Sequence, residues 1–226
     1  MTRQSPASAP TPSILSPPQP FARPALDTDR WSASGWFVAR AGRGTGAAPG
    51  GQLGGGQAGA RLVYLLIPEK RIATFARVTA PLAGKGSEAA IGFEWQPWQA
   101  PIRFAVERRI GLDGAPGGTG VGVTAGLYRE TAGLLVEGYG QAGAIARNRI
   151  EPYADGAIRV TRHIAPQLTL GAGAWGGAQR DAQRLDIGPS ASLALGKARL
   201  SLDWRQRIAG RAAPGSGLAL TLGGDF

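Results

Sequence analysis

Apolar residues alternate with polar or small residues in segment after segment from Trp31 to the C-terminus. In the final segment, Leu218, Leu220, Leu222 and Phe226 share one face. Because strand side chains point alternately to opposite faces, each segment predicts a strand with one apolar and one polar wall. The pattern predicts about twelve strands, near residues 31–41, 57–67, 72–83, 88–98, 102–112, 120–130, 133–146, 150–164, 167–178, 184–196, 199–209 and 217–226.

The composition disfavours helices. The 226-residue chain contains 36 glycines and 17 prolines, which suits strands and turns. Its longest strongly apolar run, Leu62–Ile67, is much shorter than the roughly 20 residues of a membrane helix. Within lipid, only helices and closed barrels satisfy every backbone polar group. The sequence therefore predicts an all-β fold, namely a single antiparallel up-and-down transmembrane β-barrel with an even number of strands.

The predicted connections fall into two groups, as expected of a barrel with two unlike rims. The longer links belong to one rim, with residues 147–149 as a short exception: 42–56, 84–87, 113–119, 179–183 and 211–216. The short links belong to the other rim: 68–71, 99–101, 131–132, 165–166 and 197–198.

Two features favour a membrane barrel over a soluble β-sandwich. In a sandwich the apolar faces meet in a dry interior, whereas in a membrane barrel they face lipid. Here polar residues fill the second face of nearly every strand, and aromatic residues lie close to strand ends, as in interfacial girdles. Those aromatic residues are Trp31, Trp36, Trp95, Trp98, Tyr128, Tyr153 and Trp204.

Charged residues on the polar faces are the predicted lining of the lumen. They are Arg61, Arg77, Arg103, Glu107, Glu151, Asp155, Arg159, Asp186, Asp203, Arg205 and Arg207. Two interpretations stay open: a charged lumen that selects solutes or a glycan chain, and a salt-bridge network that plugs a narrow barrel. We favour the narrow barrel slightly, because about twelve strands enclose less space than the open porins do.

The net charge of +10 would suit a nucleic-acid-binding protein, but the arginines are scattered along the chain. We therefore expect no nucleic-acid partner. An arginine-biased genome, contact with anionic lipopolysaccharide and an anion-attracting lumen each account for the charge.

Residues 1–30 are predicted to form a disordered, proline-rich leader or linker ahead of an outer-membrane barrel at residues 31–226. This leader lacks the apolar region of a secretory signal peptide, which argues against export. A misplaced start, a removed signal or a longer exported polypeptide would each resolve the conflict.

No catalytic, cofactor or metal site is predicted. His163 is the only histidine, and its predicted place at the rim with the short links disfavours a serine–histidine pair. One histidine without any cysteine also disfavours a transition-metal site. Gly138–Gly143 matches the dinucleotide pattern G-x-G-x-x-G, but Pro152 leaves too little room for the helix that should follow. We therefore expect neither enzyme activity nor a cofactor.

The C-terminal strand resembles the assembly signal of bacterial outer-membrane proteins, in which alternating hydrophobic residues end in an aromatic residue. Leu218, Leu220, Leu222 and Phe226 match that pattern, whereas Gly224 stands where a bulky residue is usual. The resemblance implies recognition by the barrel-assembly machinery.

A broader resemblance covers residues from about 50 to the C-terminus. The segments Gly54–Tyr64, Gly173–Gln179 and Arg184–Ser190 are similar to the barrel modules that end phage adsorption protein A and the cellulose-export outer-membrane subunit. A periplasmic helical-repeat region precedes the barrel in those proteins. The resemblance implies a barrel more directly than it implies glycan export or phage binding.

Three functional hypotheses follow. The first is a pore or anchor in the bacterial outer membrane, including the export module of a surface-polysaccharide system. The second is a closed barrel whose loops, chiefly residues 42–56 and 113–119, form a surface receptor for a phage or another ligand. The third is a soluble β-domain. For a membrane barrel, the expected partners are outer-membrane lipid, lipopolysaccharide and the barrel-assembly machinery, with a helical-repeat protein or a glycan chain as further candidates.

Overall fold

The alternating segments pair with one another in sequence order and close into an antiparallel β-barrel, in which the first strand pairs with the last. The computed structural model describes residues 30–226, so the predicted leader lies outside the described residues except for Arg30. The predicted barrel of twelve strands is confirmed. Its strands are β1 (Trp31–Ala39), β2 (Gln57–Ile67), β3 (Ile72–Pro81), β4 (Glu88–Trp95), β5 (Ile102–Gly111), β6 (Gly118–Thr131), β7 (Leu134–Ala146), β8 (Ile150–Ala165), β9 (Leu168–Gln179), β10 (Ala182–Leu195), β11 (Ala198–Gly210) and β12 (Gly217–Asp225).

The two faces of the sheet differ sharply in chemistry. On β11, Leu202 and Trp204 stand exposed on the outer face, whereas Ser201, Asp203 and Arg205 between them are buried inside. The apolar faces therefore do not meet in a dry interior, as a β-sandwich would require. No helix among the described residues is long and apolar enough to cross a membrane.

The barrel has two unlike rims. The rim that carries both ends of the sheet, called the terminal rim below, includes the turn Ala132-Gly133, whose residues have φ values of 51° and 75°. Two successive positive φ values suit a two-residue hairpin, because the twist of such a turn matches that of its strands. The opposite rim, called the loop rim, carries the connections 40–56, 82–87, 112–117, 147–149, 180–181 and 211–216.

Two predicted connection lengths are wrong. Strands β9 and β10 remain paired up to the turn Arg180-Asp181, where a longer loop was expected. At the terminal rim, β4 ends at Trp95, so residues 96–101 form a longer connection than expected. Gln96 supports this connection by donating hydrogen bonds to two of its carbonyl oxygens. In both places the strand ends where its backbone hydrogen-bond pairing ends. The residue types alone do not reveal that position.

Exposed aromatic side chains gather at the terminal rim. Trp31, Trp95, Trp98 and Phe226 all lie there, with exposed fractions between 49% and 66%. Trp204 is also on the outer face, but it stands midway along β11. The aromatic residues therefore mark one rim rather than both.

Trp36, Tyr128 and Tyr153 belong to the inner face, which contradicts their predicted place in an outer aromatic girdle. Trp36 is 5% exposed, and its indole covers Gly59 so closely that any side chain there would collide with the ring. Tyr128 stands directly opposite the buried Glu137 in the ladder between β6 and β7. Proximity to a strand end suggested the girdle, but parity along the strand decides the face.

Candidate functional site in the barrel lumen

The longest loop of the barrel lies inside it. Residues 40–56, which connect β1 to β2 and are called the inserted loop, turn inward from the loop rim. Ala48, Gln52 and Leu53 of this loop are only 5–6% exposed. The middle of the inserted loop is therefore buried as deeply as the inner wall of the barrel, whereas residues 41–43 stay exposed at the rim.

Gln52 holds the inserted loop against the far wall. Its backbone N–H donates to Oδ2 of Asp155, and its Nε2 donates to the hydroxyl oxygen of Tyr139. Its Oε1 accepts a hydrogen bond from Nη1 of Arg205. Since β7 and β8 lie opposite β1 and β2 in the closed sheet, these contacts span the lumen.

The wall also supplies partners to the backbone of the inserted loop. Arg109 donates from Nη1 to the carbonyl oxygen of Ala47 at 2.8 Å, and Gln141 donates from Nε2 to that of Pro49 at 2.9 Å. The N–H of Ala47 donates to Oε1 of Gln179 at 2.9 Å. A buried backbone group without a partner is costly, so these side chains stabilise the loop in its inserted position.

Arg40 fixes the shape of the inserted loop from its first residue. Its Nη2 donates to the carbonyl oxygens of Gly51 and Leu53 at 3.2 and 3.1 Å, and its Nε donates to that of Gly55 at 3.2 Å. The loop crosses itself where Gly55 lies against Gly42, and a side chain on Gly55 would collide with that backbone. The glycines therefore allow a fold that larger residues would block.

Hydrogen bonds join the connections of the loop rim to one another. Thr45 of the inserted loop donates from Oγ1 to the carbonyl oxygen of Gly86 at 3.1 Å. Asp113 accepts hydrogen bonds from the N–H groups of Ser87 and Gly86 at 2.8 and 2.7 Å. The hydrogen bond from Ser87, and after it the one from Gly86, holds the pKa of the Asp113 carboxyl below its ordinary value.

A charge cluster centred on Asp203 lies within the wall beside the inserted loop. Asp203 is fully buried and accepts from Arg159 at 2.8 Å, Arg205 at 3.2 Å and Ser190 at 2.7 Å. The buried Trp175 lies beneath both guanidinium groups, with its ring centroid 5.6 Å from Arg159 and 4.8 Å from Arg205. The cluster joins β8, β9, β10 and β11 across the inside of the barrel.

A second cluster of alternating charges lies on the inner face near the loop rim. Glu107 binds Arg109 at 2.6 Å and Arg77 at 3.2 Å. Glu88 binds both of these arginines, at 3.2 and 3.4 Å, and also Arg147 at 3.1 Å. The cluster connects β3, β4 and β5 with the connection between β7 and β8.

Two more predicted lining residues form buried ion pairs. Arg61 binds Glu94 at 2.7 Å, and Arg184 binds Asp186 at 2.7 Å. The sequence analysis did not single out Glu94 or Arg184, nor Glu88, Arg109, Glu137 and Arg199, although their parity along their strands would have identified them.

The three remaining predicted lining residues lie nearer the rims. Glu151 binds Arg147 at 2.9 Å, and Arg103 donates from Nε to Oε1 of Gln96 at 3.4 Å. Arg207 is only half-buried, and its Nη1 donates to the carbonyl oxygen of Ala212 at 2.8 Å. Arg207 therefore supports the connection that follows its own strand.

Little free volume remains beside Gln52. A cavity of about 30 Å³ lies between Arg40, Tyr139, Trp175 and Arg205, which is room for about one water molecule. Toward the loop rim, a polar vestibule of about 230 Å³ opens above it. At the level of Gln52 the inserted loop and the side chains of the wall leave room for little more than one water molecule.

His163 is exposed near the terminal-rim end of β8, opposite Thr169 of β9, as the sequence predicts. Within residues 30–226, no group of three or more His, Cys, Asp or Glu side chains is arranged to hold a metal ion. The segment Gly138–Gly143 is part of strand β7 and opens no helix. The absence of enzyme activity stays a prediction.

No protein-family model matches the chain, and no curated protein matches its sequence. Among solved structures, the KdgM porin is 8% identical with a TM-score of 0.45, over 86% of this chain and 99% of its own. The β domain of the Bordetella autotransporter BrkA is 12% identical with a TM-score of 0.48, over 88% and 99%. An outer-membrane channel from Pseudomonas putida F1 is 12% identical with a TM-score of 0.46, over 89% and 96%.

At these identities and TM-scores the likeness carries no conclusion about function; the first neighbour is described as a porin and the third as an outer-membrane channel. The resemblance to phage adsorption protein A and to the cellulose-export subunit stays a prediction, because neither is named among these neighbours.

Proposed function

We propose that the protein is an outer-membrane β-barrel that forms a narrow pore, with the inserted loop as its constriction. The observation that carries the proposal is the position of Gln52, which reaches Tyr139, Asp155 and Arg205 inside a barrel with an apolar outer wall.

The outer wall supports a place in lipid. Val160, Ile187, Leu202 and Leu220 stand on it with exposed fractions of 37–46%. A continuous apolar surface of this kind far exceeds the patches that soluble monomers expose, whereas lipid solvates it well. The terminal rim, with its exposed tryptophans, would then meet the membrane interface.

The C-terminal residue supports recognition by an assembly machinery. Phe226 pairs with Ala33 of β1 through two backbone hydrogen bonds, of 2.8 and 2.9 Å, and so completes the seam between the first and last strands. Before closure, β12 presents a free edge that another protein can pair with.

The inserted loop gives the proposed pore its selectivity by size. Its contacts with the wall are hydrogen bonds, which a polar solute or water can replace at modest net cost. Most of the charges around it are paired, so we expect weak selectivity between anions and cations. A glycan chain would pass only with the loop outside the lumen. We therefore propose a pore for small polar solutes ahead of polysaccharide export.

A closed barrel that serves as a receptor is the alternative, and the tied connections of the loop rim favour it. Asp113 joins residues 82–87 to residues 112–117, which gives a firm outer surface. The inserted loop, however, turns inward, so much of the surface expected from residues 42–56 is not available to an external ligand.

Conductance in planar bilayers tests the proposal. A variant in which residues 43–55 are replaced by a short Gly-Ser link should conduct severalfold more than the wild-type barrel, which should show small, steady currents. Replacement of residues 114–116 at the same rim, which leaves Asp113 in place, is the matched control and should leave the conductance unchanged. Silence of the wild type and of the shortened variant alike would refute the pore and favour the receptor.

A further inference from the structure

The outer wall contains a groove. Across β6 to β9, small residues stand where the neighbouring wall carries leucine, isoleucine or valine. Ala125, Gly140, Ala154, Gly176 and Ala178 line a concave surface with a volume of about 710 Å³.

The ladder places the small residues in one row. Gly140 stands opposite Gly156, which stands opposite Gly176 of β9. A side chain built on Gly140 would meet no atom within 4 Å, so the space above it is open. The row continues through Leu185 of β10 to Ala209 of β11, so it crosses five strand spacings, or about 24 Å.

The groove runs obliquely from the loop rim toward the middle of the wall. At its upper end, Gln183 is the second residue of β10, and Ala209 is the second-to-last residue of β11. At its lower end, Ala125 is the eighth residue of β6 from the loop rim. In a membrane, this course would lead from the level of the headgroups into the outer leaflet.

Two arginines of the loop rim lie close in sequence to residues at the upper end of the groove, and one of them, Arg180, also lines the polar vestibule. Arg180 follows Ala178 by two residues, and Arg211 directly follows Gly210, which lines the groove. Both side chains are exposed, and Arg180 keeps donors free after one hydrogen bond to the carbonyl oxygen of Ile150. Guanidinium groups pair well with phosphate oxygens, often through two parallel hydrogen bonds.

We infer that the groove docks an acyl chain of lipid A, the phosphate-bearing anchor of lipopolysaccharide, while Arg180 and Arg211 bind its phosphates. An apolar floor suits the chain, and a cationic end suits the headgroup. A second barrel copy is a poorer occupant, because a two-fold contact on this face would bring the same arginines of both copies together. The inference rests on the proposed place of the barrel in the outer membrane.

Native mass spectrometry of the detergent-purified barrel, titrated with lipid A, tests the inference. The double variant R180Q/R211Q should bind about thirtyfold more weakly, at about 1 kcal/mol for each cation lost. The variant G140L fills the groove and should weaken binding about tenfold, through lost apolar contact.

Two control variants accompany them. K85Q removes an exposed cation elsewhere on the loop rim, and A76L adds the same side chain to the outer wall of β3. Both should bind lipid A as the wild type does. All variants should keep heat-modifiable mobility, which shows that the barrel has folded.

Three results would overturn the inference alone: an equal loss of affinity in K85Q, wild-type affinity in G140L, or dimers that disappear in G140L while lipid binding persists. A wild-type chain that stays soluble and monomeric without detergent would instead overturn the proposed function, and the inference with it.

Discussion

The lumen is filled in two different ways, by the inserted loop and by the charge cluster around Asp203. The loop is glycine-rich and reaches the wall through the side chain and backbone of Gln52 and through backbone groups of Ala47 and Pro49. The cluster consists of buried ions fixed on neighbouring and facing strands. The comparison teaches that the cluster serves the stability of the barrel, whereas the loop is the part that the proposed pore would need to move.

The free-energy cost of losing an interaction differs between the charge cluster and the inserted loop. Removal of one partner from a buried ion pair leaves an uncompensated charge, which costs about 3–5 kcal/mol. Removal of the neutral Gln52 side chain breaks hydrogen bonds but no ion pair, so it costs less, about 1–3 kcal/mol even when a buried group is left without its partner. Variants at the two places should therefore differ in what they change.

The largest expected effect is that of Asp203→Ala. This change leaves the buried Arg159 and Arg205 without their shared carboxylate, so the free energy of unfolding should fall by about 3–5 kcal/mol. Urea unfolding of the barrel refolded in lipid measures it. Asp181→Ala is the control, because the ion pair of Asp181 with Arg149 is exposed and should contribute at most about 1 kcal/mol.

The ion pair between Arg199 and Glu137 sharpens the comparison. Arg199→Met alone leaves the buried Glu137 without its counter-ion and should lower the free energy of unfolding by about 3–5 kcal/mol. The double variant with Glu137→Leu should recover most of that loss. The same unfolding assay gives all the values of the cycle. If the losses of the two single variants added up in the double variant, charge pairing would not be the reason for the loss of stability in Arg199→Met.

A smaller effect on stability, with a larger one on current, is expected of Gln52→Ala. The free energy of unfolding should fall by about 1–2 kcal/mol, while single-channel records should show more frequent openings. Gln96→Ala at the terminal rim is the matched control, since Gln96 bonds only near the terminal rim. Unchanged single-channel records in Gln52→Ala would show that the contacts of Gln52 do not limit the current.

The smallest effect concerns pH. Because Ser87 and Gly86 lower the pKa of Asp113, its carboxylate stabilises the loop rim above the unfolded value near about 4 and loses that role as the pH falls through the lowered pKa. Asp113→Asn should therefore speed amide exchange at residues 86 and 87 at neutral pH. The difference from the wild type should vanish in acid, and a difference that persists there would contradict this origin.

Strand parity carried most of what the sequence could predict. It placed Asp203 and Arg205 inside and Leu202 outside, because a two-residue period leaves no other choice once one face is assigned. Applied fully, it would also have identified Glu94 and corrected Trp36, whose distance from a strand end was misleading.

The partners of these residues were beyond the reach of the sequence. Arg199 and Glu137 are 62 residues apart and meet only because closure brings β11 across from β7. Gln52 lies in a segment without periodicity, and nothing in that pattern tells an inward loop from an outward one. Contacts across a lumen depend on the stagger of the whole sheet, which local patterns do not encode.

The central claim is that lipid covers the apolar outer wall while the polar inner wall is shielded from it. The chain has no cysteine, so single spin labels can be placed at Leu202, Ile187 and Leu220 outside and at Ser201 and Thr221 inside, in barrels refolded into bilayers. Labels at the outer sites should collide readily with dissolved oxygen and rarely with a water-soluble nickel complex, whereas inner labels should collide little with oxygen. Outer labels that collide with nickel as readily as a label at exposed Lys85 would contradict the account.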